Sequence, residues 1–115
     1  MEKSKERAKK LVLLFFRKEA YMLESKFKTK LIKELKAMFP GCVVTHVTDI
    51  QGFPDLLILY KNMWAALEGK QTSSSHKQPN QNYFVDILNT MSFSKFITPE
   101  NKKEVLDELQ RAFKL

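Results

Sequence analysis

The chain has 115 residues and a mass of 13.5 kDa, enough for one domain with a moderate core. Hydrophobic residues make up 43% of it, and it has only three Gly and four Pro, which excludes a disordered tail. Lys and Arg outnumber Asp and Glu by 20 to 13, giving a net charge of +7. This charge favours a polyanionic partner, either nucleic acid or an anionic membrane surface.

A single cysteine, Cys42, excludes an intramolecular disulfide and is typical of a reducing compartment. Cys42 and the two histidines lack the paired spacings of a zinc site. The longest apolar run, residues 11–16, is too short to cross a bilayer, and no signal-peptide cleavage site follows it. We therefore expect a soluble, cytoplasmic protein that has no membrane partner.

The first third of the chain reads as helix. Residues 3–39 contain no Gly or Pro, and the segment ends at Pro40-Gly41, with a break expected near 17–21. We expect residues 1–20 to form a basic N-terminal extension and residues 21–115 to form the main domain. The apolar patch at 11–16 is wider than one helix stripe needs, so it can pack on the protein's own core or form a dimer contact.

A carboxylate interrupts the apolar stripe of this helix. Leu23, Phe27, Leu31 and Leu35 recur at helical spacing, and Glu24 has almost the same azimuth as Leu31. Burying a carboxylate is costly without a partner. Glu24 can therefore serve a site, or it can lie at the edge of the stripe and reach solvent or a lysine one turn away.

Two β-prone runs flank Lys61-Asn62 and predict a hairpin, with Asn62 tolerating the positive φ that such turns require. This turn pairs Tyr60 with Met63 and places Asp55 opposite Glu68. Facing carboxylates repel, so the pair favours a cation between them, and Mg²⁺ suits oxygen ligands.

Lys70 joins the acid pair, because it lies two residues after Glu68 and therefore on the same face of the strand. A metal ion together with a lysine that orients or deprotonates water can hydrolyse a phosphodiester. The alternative is an exposed hairpin with ordinary surface charges.

These residues carry a resemblance to a known family. Asp55 followed by Glu68-Gly69-Lys70 resembles the signature of the PD-(D/E)XK nuclease superfamily, and Gly52-Phe53-Pro54-Asp55 resembles the G-x-P-D opening of its VRR-NUC branch. The resemblance covers residues 21–113. It implies a restriction-endonuclease-like α/β/α sandwich with a mixed four-stranded sheet. Because the strand after Asp55 is apolar on both faces, we also expect helices on both faces.

The resemblance also implies roles for single residues. Asp55, Glu68 and the Gly69 carbonyl would bind Mg²⁺, with Mn²⁺ able to substitute, and Glu24 would assist through water. Lys70 would position the nucleophilic water. Gln81 matches the family's glutamine near the site, although its place in the first turn of a helix also has a purely structural interpretation.

The remaining segments complete the prediction. Residues 71–80 read as a loop that is either a linker or a contact to the nucleic-acid backbone through Ser74, His76 and Lys77. We expect strands at 42–48 and 93–97 and a helix from Pro79 to about Thr90. That helix should bury Tyr83, Phe84, Ile87 and Leu88. Thr98-Pro99 should cap a last helix that turns Val105, Leu106, Leu109 and Phe113 inward.

The site residues and the resemblance together predict a Mg²⁺-dependent, structure-selective endodeoxyribonuclease, and the resemblance implies that cleavage leaves 5′-phosphate and 3′-hydroxyl ends. Stand-alone members of this branch resemble Holliday-junction resolvases, so we expect a homodimer that cleaves branched DNA in recombination or repair. A phage-encoded enzyme of this kind would act in the host cytoplasm. Other nucleases (a nickase, a flap endonuclease or a restriction enzyme) stay open. So does a non-catalytic DNA-binding protein that retains the fold.

Overall fold

The computed structural model describes residues 2–72 and 77–114, and for residues 2 and 14–23 it describes the helical backbone alone. In chain order, the helices and strands in the described residues are α1 (Glu2–Met38), β1 (Val43–His46), β2 (Leu56–Tyr60), β3 (Met63–Gly69), α2 (Pro79–Met91), β4 (Phe93–Ile97) and α3 (Lys102–Phe113).

The four strands form one mixed sheet in the order β1-β2-β3-β4. The pairs β1–β2 and β2–β3 are antiparallel, whereas β3–β4 is parallel. A parallel pair needs a crossover connection, and α2 supplies it. The predicted α/β fold with a mixed four-stranded sheet is therefore confirmed at this level.

The main core lies on one face of the sheet, between the strands and the helices α1 and α3. Its fully or almost fully buried members come from both helices and from three strands: Leu31, Leu35, Phe39, Leu56, Ile58, Ala65, Leu67, Ile97, Val105, Leu106, Leu109 and Phe113. The prediction that the last helix turns four apolar residues inward is confirmed.

The opposite face is only partly covered. Helix α2 packs over β3 and β4 there and buries Val85 and Leu88. At the β1–β2 end of the same face, the paired residues Val43 and Leu59 remain exposed. The expectation that helices cover both faces is thus correct for the β3–β4 half and wrong for the β1–β2 half, because α2 packs on β3 and β4.

Helix α1 is continuous across the break expected at 17–21. Its 37 residues correspond to about 55 Å at 1.5 Å per residue, which accounts for most of the 65 Å long axis of the molecule. Leu11, Val12 and Leu13 are each more than half exposed, so this part of the apolar patch does not pack on the core. The side chains of residues 14–16 lie outside the described residues. Within the described chain, no helix is long and apolar enough to cross a bilayer.

The hairpin has the predicted register. Tyr60 pairs with Met63, and Leu56 pairs with Leu67 at the far end of the ladder. The turn differs in detail, because Lys61 has the positive φ, at 56°, and Asn62 does not. The left-handed position therefore falls on the first turn residue, and the tolerance of asparagine for that conformation is not used.

Helix α2 begins at Pro79 as predicted, but its buried stripe is shifted. Tyr83 is 59% exposed and lies against the edge of the Phe84 ring, whereas Val85 is buried. The prediction that Tyr83 is buried is wrong. The helix faces the sheet through positions 81, 84, 85 and 88, the spacing of a single helical face.

Helix α3 begins at Lys102, three residues later than the predicted Thr98-Pro99 start. Thr98 instead closes the preceding turn, since its N–H donates to Asn101 Oδ1 at 2.7 Å and its Oγ1 accepts from the Asn101 N–H at 3.2 Å. Asn101 is the N-cap residue. The predicted cap Thr98 does make a capping hydrogen bond, but its side-chain oxygen stabilises the turn before the helix and not the helix itself.

Candidate active site

The site lies where the β2–β3 hairpin ends. Glu68 is 4% exposed near the end of β3, and Asp55 immediately precedes β2. The Asp55 backbone N–H donates to Glu68 Oε2 at 2.9 Å. A side-chain carboxylate thus extends the ladder beyond the last backbone pair, and the predicted juxtaposition of the two acids is confirmed in the structure.

The segment Gly52-Phe53-Pro54, which directly precedes Asp55, packs against α2. Gly52 has a φ of +86°, and a Cβ at this position would lie 2.4 Å from Asn80 Cβ, so only glycine fits. The rings of Phe53 and Phe84 lie 5.6 Å apart, and Pro54 is fully buried. Gly52 and Phe53 therefore dock the loop onto the first turns of α2.

Gln81 joins α2 to the acid pair. Its Oε1 accepts from the Gln78 backbone N–H at 3.1 Å, and its Nε2 donates to Glu68 Oε1 at 2.9 Å. The first contact is half of a capping box, which leaves the amide nitrogen directed at the carboxylate. The structural interpretation is confirmed, because Gln81 supports the helix start. Its contact with Glu68 places it beside the acid pair, and its role in catalysis stays a prediction.

Lys70 lies on the face of β3 that carries Glu68, as the strand period predicts. Its Nζ lies 3.8 Å from Glu68 Oε1, and its side chain is 13% exposed. Its backbone N–H donates to the Ile97 carbonyl at 2.9 Å, so β4 holds the residue in place. Asp55, Glu68, Lys70 and Gln81 are therefore brought together.

The pKa of Glu68 is raised from 4.5 to about 7. Burial is the main cause, and the nearby Asp55 carboxylate adds to it. The hydrogen bond from the Asp55 N–H and the ammonium groups of Lys70 and Lys28 act in the opposite direction. The raised pKa indicates that burial, together with the Asp55 charge, disfavours the charged form of Glu68 more than the hydrogen bond and the two ammonium groups favour it.

Lys28 is the residue of the site that the sequence did not predict. Its Nζ lies 2.6 Å from Asp55 Oδ2 and 3.4 Å from Glu24 Oε1, so it connects helix α1 to the hairpin. Burial lowers the pKa of Lys28, but the ion pairs with Asp55 and Glu24 outweigh burial, and the pKa is raised overall. The only signal in the sequence is the Glu24–Lys28 spacing of four residues.

Gly69 makes room for Lys28. A Cβ at position 69 would lie 3.0 Å from Lys28 Cε and 3.5 Å from Cγ, closer than an ordinary contact at the first of these atoms. The sequence predicted that Gly69 permits close approach of a ligand to the backbone. In the structure the space beside Gly69 is filled by the stem of Lys28, and a metal contact to the Gly69 carbonyl stays a prediction.

The oxygen atoms that could bind a metal at this site fit a hard divalent cation only in part. Asp55 Oδ2 is buried, accepts no hydrogen bond of normal geometry, and has the Lys28 ammonium as its charged contact. Asp55 and Glu68 offer carboxylate oxygens, the ligands that Mg²⁺ prefers. In the described residues, however, no three His, Cys, Asp or Glu side chains are grouped to hold a metal. Glu24 contacts Lys28, and its predicted role through water remains a prediction.

The loop after β3 is described only in part. Ser74 and His76, two of the three predicted nucleic-acid contacts, lie outside the described residues. The third, Lys77, places its Nζ 4.4 Å from the centroid of the Phe96 ring. This cation–π contact tethers the end of the loop to β4.

A groove adjoins the site on the side of α1. Its lining is formed by one face of that helix and the end of β1: Glu24, Ser25, Lys28, Thr29, Ile32 and His46. His46 is exposed and pairs with Leu56, the residue after Asp55. The groove is therefore lined by Lys28, the residue whose ammonium contacts Asp55, and by Glu24.

Comparisons of this chain with protein-family models, with curated proteins and with solved structures found no match. The likeness to the PD-(D/E)XK superfamily stays a prediction from the motif residues.

Proposed function

We propose that this protein is a Mg²⁺-dependent endodeoxyribonuclease of the PD-(D/E)XK type, close to the VRR-NUC branch, with a restriction-endonuclease-like fold. The observation that carries the proposal is the meeting of Asp55, Glu68 and Lys70 at the end of one hairpin. Glu68 is 4% exposed, and its Oε1 lies 3.8 Å from the Lys70 ammonium. Two carboxylates held together with a lysine beside them are the groups that metal-assisted phosphodiester hydrolysis uses.

Asp55, Glu68 and the Gly69 carbonyl would hold the ion, with Glu24 assisting through water. When bound, Mg²⁺ supplies positive charge that stabilises the negative charge developing on the phosphate oxygens. Mn²⁺ should substitute, because both ions accept oxygen ligands.

The residues of the chain have separate tasks around that ion. Lys70 orients the attacking water and can assist its deprotonation, since its ammonium is held on the face of β3 that carries the acids. Gln81 fixes the direction of the Glu68 carboxylate through its 2.9 Å hydrogen bond. The Asp55 N–H fixes the other oxygen of Glu68 at the same distance. The carboxylate is thus held in position before substrate arrives.

The substrate we propose is branched DNA, such as a Holliday junction. The net charge of +7 favours a polyanion, whose phosphates basic side chains can contact. Recognition would then depend on phosphate contacts and DNA shape. Cutting two opposed strands requires two sites, so we propose a homodimer built through the exposed apolar residues Leu11, Val12 and Leu13.

One observation favours a second candidate, a non-catalytic DNA-binding protein that retains the fold. The Lys28 ammonium already lies 2.6 Å from Asp55 Oδ2 and gives this carboxylate a cation without any metal. A protein that never binds a metal would be stable with such a pair. The two candidates differ in one measurable property, which is hydrolysis in the presence of Mg²⁺.

The experiment uses the purified protein with labelled four-way junction, flap, single-stranded and linear duplex DNA, in Mg²⁺, Mn²⁺ or EDTA. Asp55→Asn and Lys70→Met test the site. Glu34→Gln and Lys102→Met are matched controls, because these two residues form a half-buried ion pair of 2.9 Å elsewhere in the fold. Circular dichroism shows that each variant is folded.

We expect Mg²⁺-dependent cleavage of the junction by the wild type and both controls, and a loss of at least about a hundredfold in the two site variants. Cleavage that survives Asp55→Asn or Lys70→Met would contradict the site assignment. Binding to DNA without cleavage under all conditions would favour the second candidate. Cleavage of linear duplex at one sequence would favour a restriction-type nuclease.

A further inference from the structure

We propose that Lys28 is the resident cation of the metal-free site and that a divalent ion must displace its ammonium from Asp55 in order to bind. Lys28 is then a positioning residue that sets the metal concentration at which the site becomes loaded. This inference rests on the proposed function, since it takes Asp55 as a metal ligand.

The Asp55 carboxylate cannot bind Lys28 and a divalent ion at the same oxygen. Asp55 Oδ2 is buried, accepts no hydrogen bond of normal geometry, and has the Lys28 ammonium at 2.6 Å. A divalent ion bound to Asp55 Oδ2 would lie in contact with an ammonium 2.6 Å from the same oxygen, and two cations in contact repel. Binding of the ion and retention of the Lys28–Asp55 pair are therefore mutually exclusive.

Glu24 gives the displaced ammonium a second partner. It lies four residues before Lys28 on the same face of α1, and its Oε1 is already 3.4 Å from Lys28 Nζ. An i,i+4 pair on one helix stays in reach when the lysine turns away from the hairpin. We therefore assign Glu24 the task of receiving Lys28.

Gly69 determines the path of the Lys28 side chain. Because position 69 has no Cβ, the Lys28 stem lies against β3, with its Cε 3.0 Å from where that Cβ would be. An alanine at this position would push the end of the stem away from Asp55 without removing any charge. Gly69→Ala should thus weaken the competition between the Lys28 ammonium and a divalent ion for Asp55, without any substitution of Lys28.

The test is isothermal titration of the DNA-free protein with Mn²⁺. The variants are Lys28→Met, Lys28→Arg and Gly69→Ala, and Lys102→Met is a control for loss of a remote positive charge. We expect Lys28→Met to bind Mn²⁺ on the order of tenfold more tightly than the wild type. Gly69→Ala should change in the same direction by a smaller factor, whereas Lys28→Arg and Lys102→Met should stay near the wild type.

The direction of the change separates competition from structural damage. Loss of a structural ion pair would weaken Mn²⁺ binding, whereas loss of a competing cation strengthens it. Equal or weaker binding by Lys28→Met overturns the inference, and if that variant does not fold, unchanged or weaker binding by Gly69→Ala overturns it.

The same proteins are then incubated with junction DNA, which separates this inference from the proposed function. Unchanged affinity together with normal cleavage overturns the role of Lys28 and leaves the nuclease standing. Tighter binding without cleavage by any protein supports the role of Lys28 and contradicts the nuclease. Absence of Mn²⁺ binding in all variants contradicts both.

Discussion

The backbone N–H of Asp55 donates to the Oε2 of Glu68 at 2.9 Å, so one buried carboxylate joins the start of β2 to the end of β3. Such a bond holds a charged group in the interior, where its charge is costly unless a cation compensates it. The two ammonium groups nearby, those of Lys28 and Lys70, compensate only in part, since the pKa of Glu68 is still raised to about 7.

The raised pKa of Glu68 predicts how the metal-free protein responds to pH. Below pH 4.5 the carboxyl group is protonated in both the folded and the unfolded state. Between pH 4.5 and about 7 the unfolded chain releases the proton first, so the free energy of unfolding falls as the pH rises. The loss levels off above pH 7, and at about 1.4 kcal/mol per pKa unit it is on the order of 3 kcal/mol.

Urea unfolding in EDTA between pH 4 and pH 8 measures this loss. The charged groups that surround Glu68 are Asp55, Lys70 and Lys28. Asp55→Asn removes the like charge that raises the pKa, so the variant should lose less stability over the same window. A free energy of unfolding that is flat through this window in the wild type would contradict the raised pKa of Glu68. Equal slopes in the two proteins would contradict the contribution of the Asp55 charge to that pKa.

Gly52→Ala should destabilise the protein through the contact with α2. Both Gly52 and Gly41 have a φ of +86°, but a Cβ at Gly41 would meet nothing within 4 Å, whereas one at Gly52 would collide with Asn80. We expect Gly41→Ala to cost about 1 kcal/mol, the price of the left-handed conformation alone. Gly52→Ala should cost about 1–3 kcal/mol more. Urea denaturation of both variants measures the difference, and equal losses would contradict a docking role for the motif glycine.

Self-association should depend on the apolar surface of α1. Leu11, Val12 and Leu13 are exposed on a helix that extends beyond the core, so we expect the double variant Leu11→Lys, Leu13→Lys to sediment as a monomer. Leu59→Lys is the control, because it places a lysine on a second exposed apolar surface, at the uncovered end of the sheet. Sedimentation equilibrium distinguishes the outcomes. A monomeric wild type would contradict the dimer, and loss of the dimer in Leu59→Lys alone would move it to the sheet.

The hairpin and its site were predictable because their geometry is local. A two-residue turn and the strand period of two place Asp55 beside Glu68, and the same period places Lys70 on their face. Both statements need only the positions of residues along two adjacent strands, and the register of the structure agrees with them. The start of α2 was predictable for the same reason, since Pro79 marks it locally.

What could not be predicted depends on how distant segments pack. Lys28 contacts Asp55 only because α1 packs on the sheet beside the start of β2, and no spacing in the sequence predicts this packing. The exposure of Tyr83 has a similar cause, since the rotation of α2 over β3 and β4 decides which helix face is buried. The helix start predicted at Thr98 was wrong for another reason. A threonine side chain can cap a turn as well as a helix, and the sequence alone does not distinguish the two.

The most direct test of the central claim is a crystal structure of the protein grown with Mn²⁺, read by anomalous scattering at the manganese edge. The account predicts one anomalous peak in ligand contact with the carboxylates of both Asp55 and Glu68, at about 2.0–2.3 Å, with the Lys28 ammonium withdrawn from Asp55. A site that stays metal-free at a Mn²⁺ concentration that supports cleavage, with Lys28 still paired to Asp55, would contradict it.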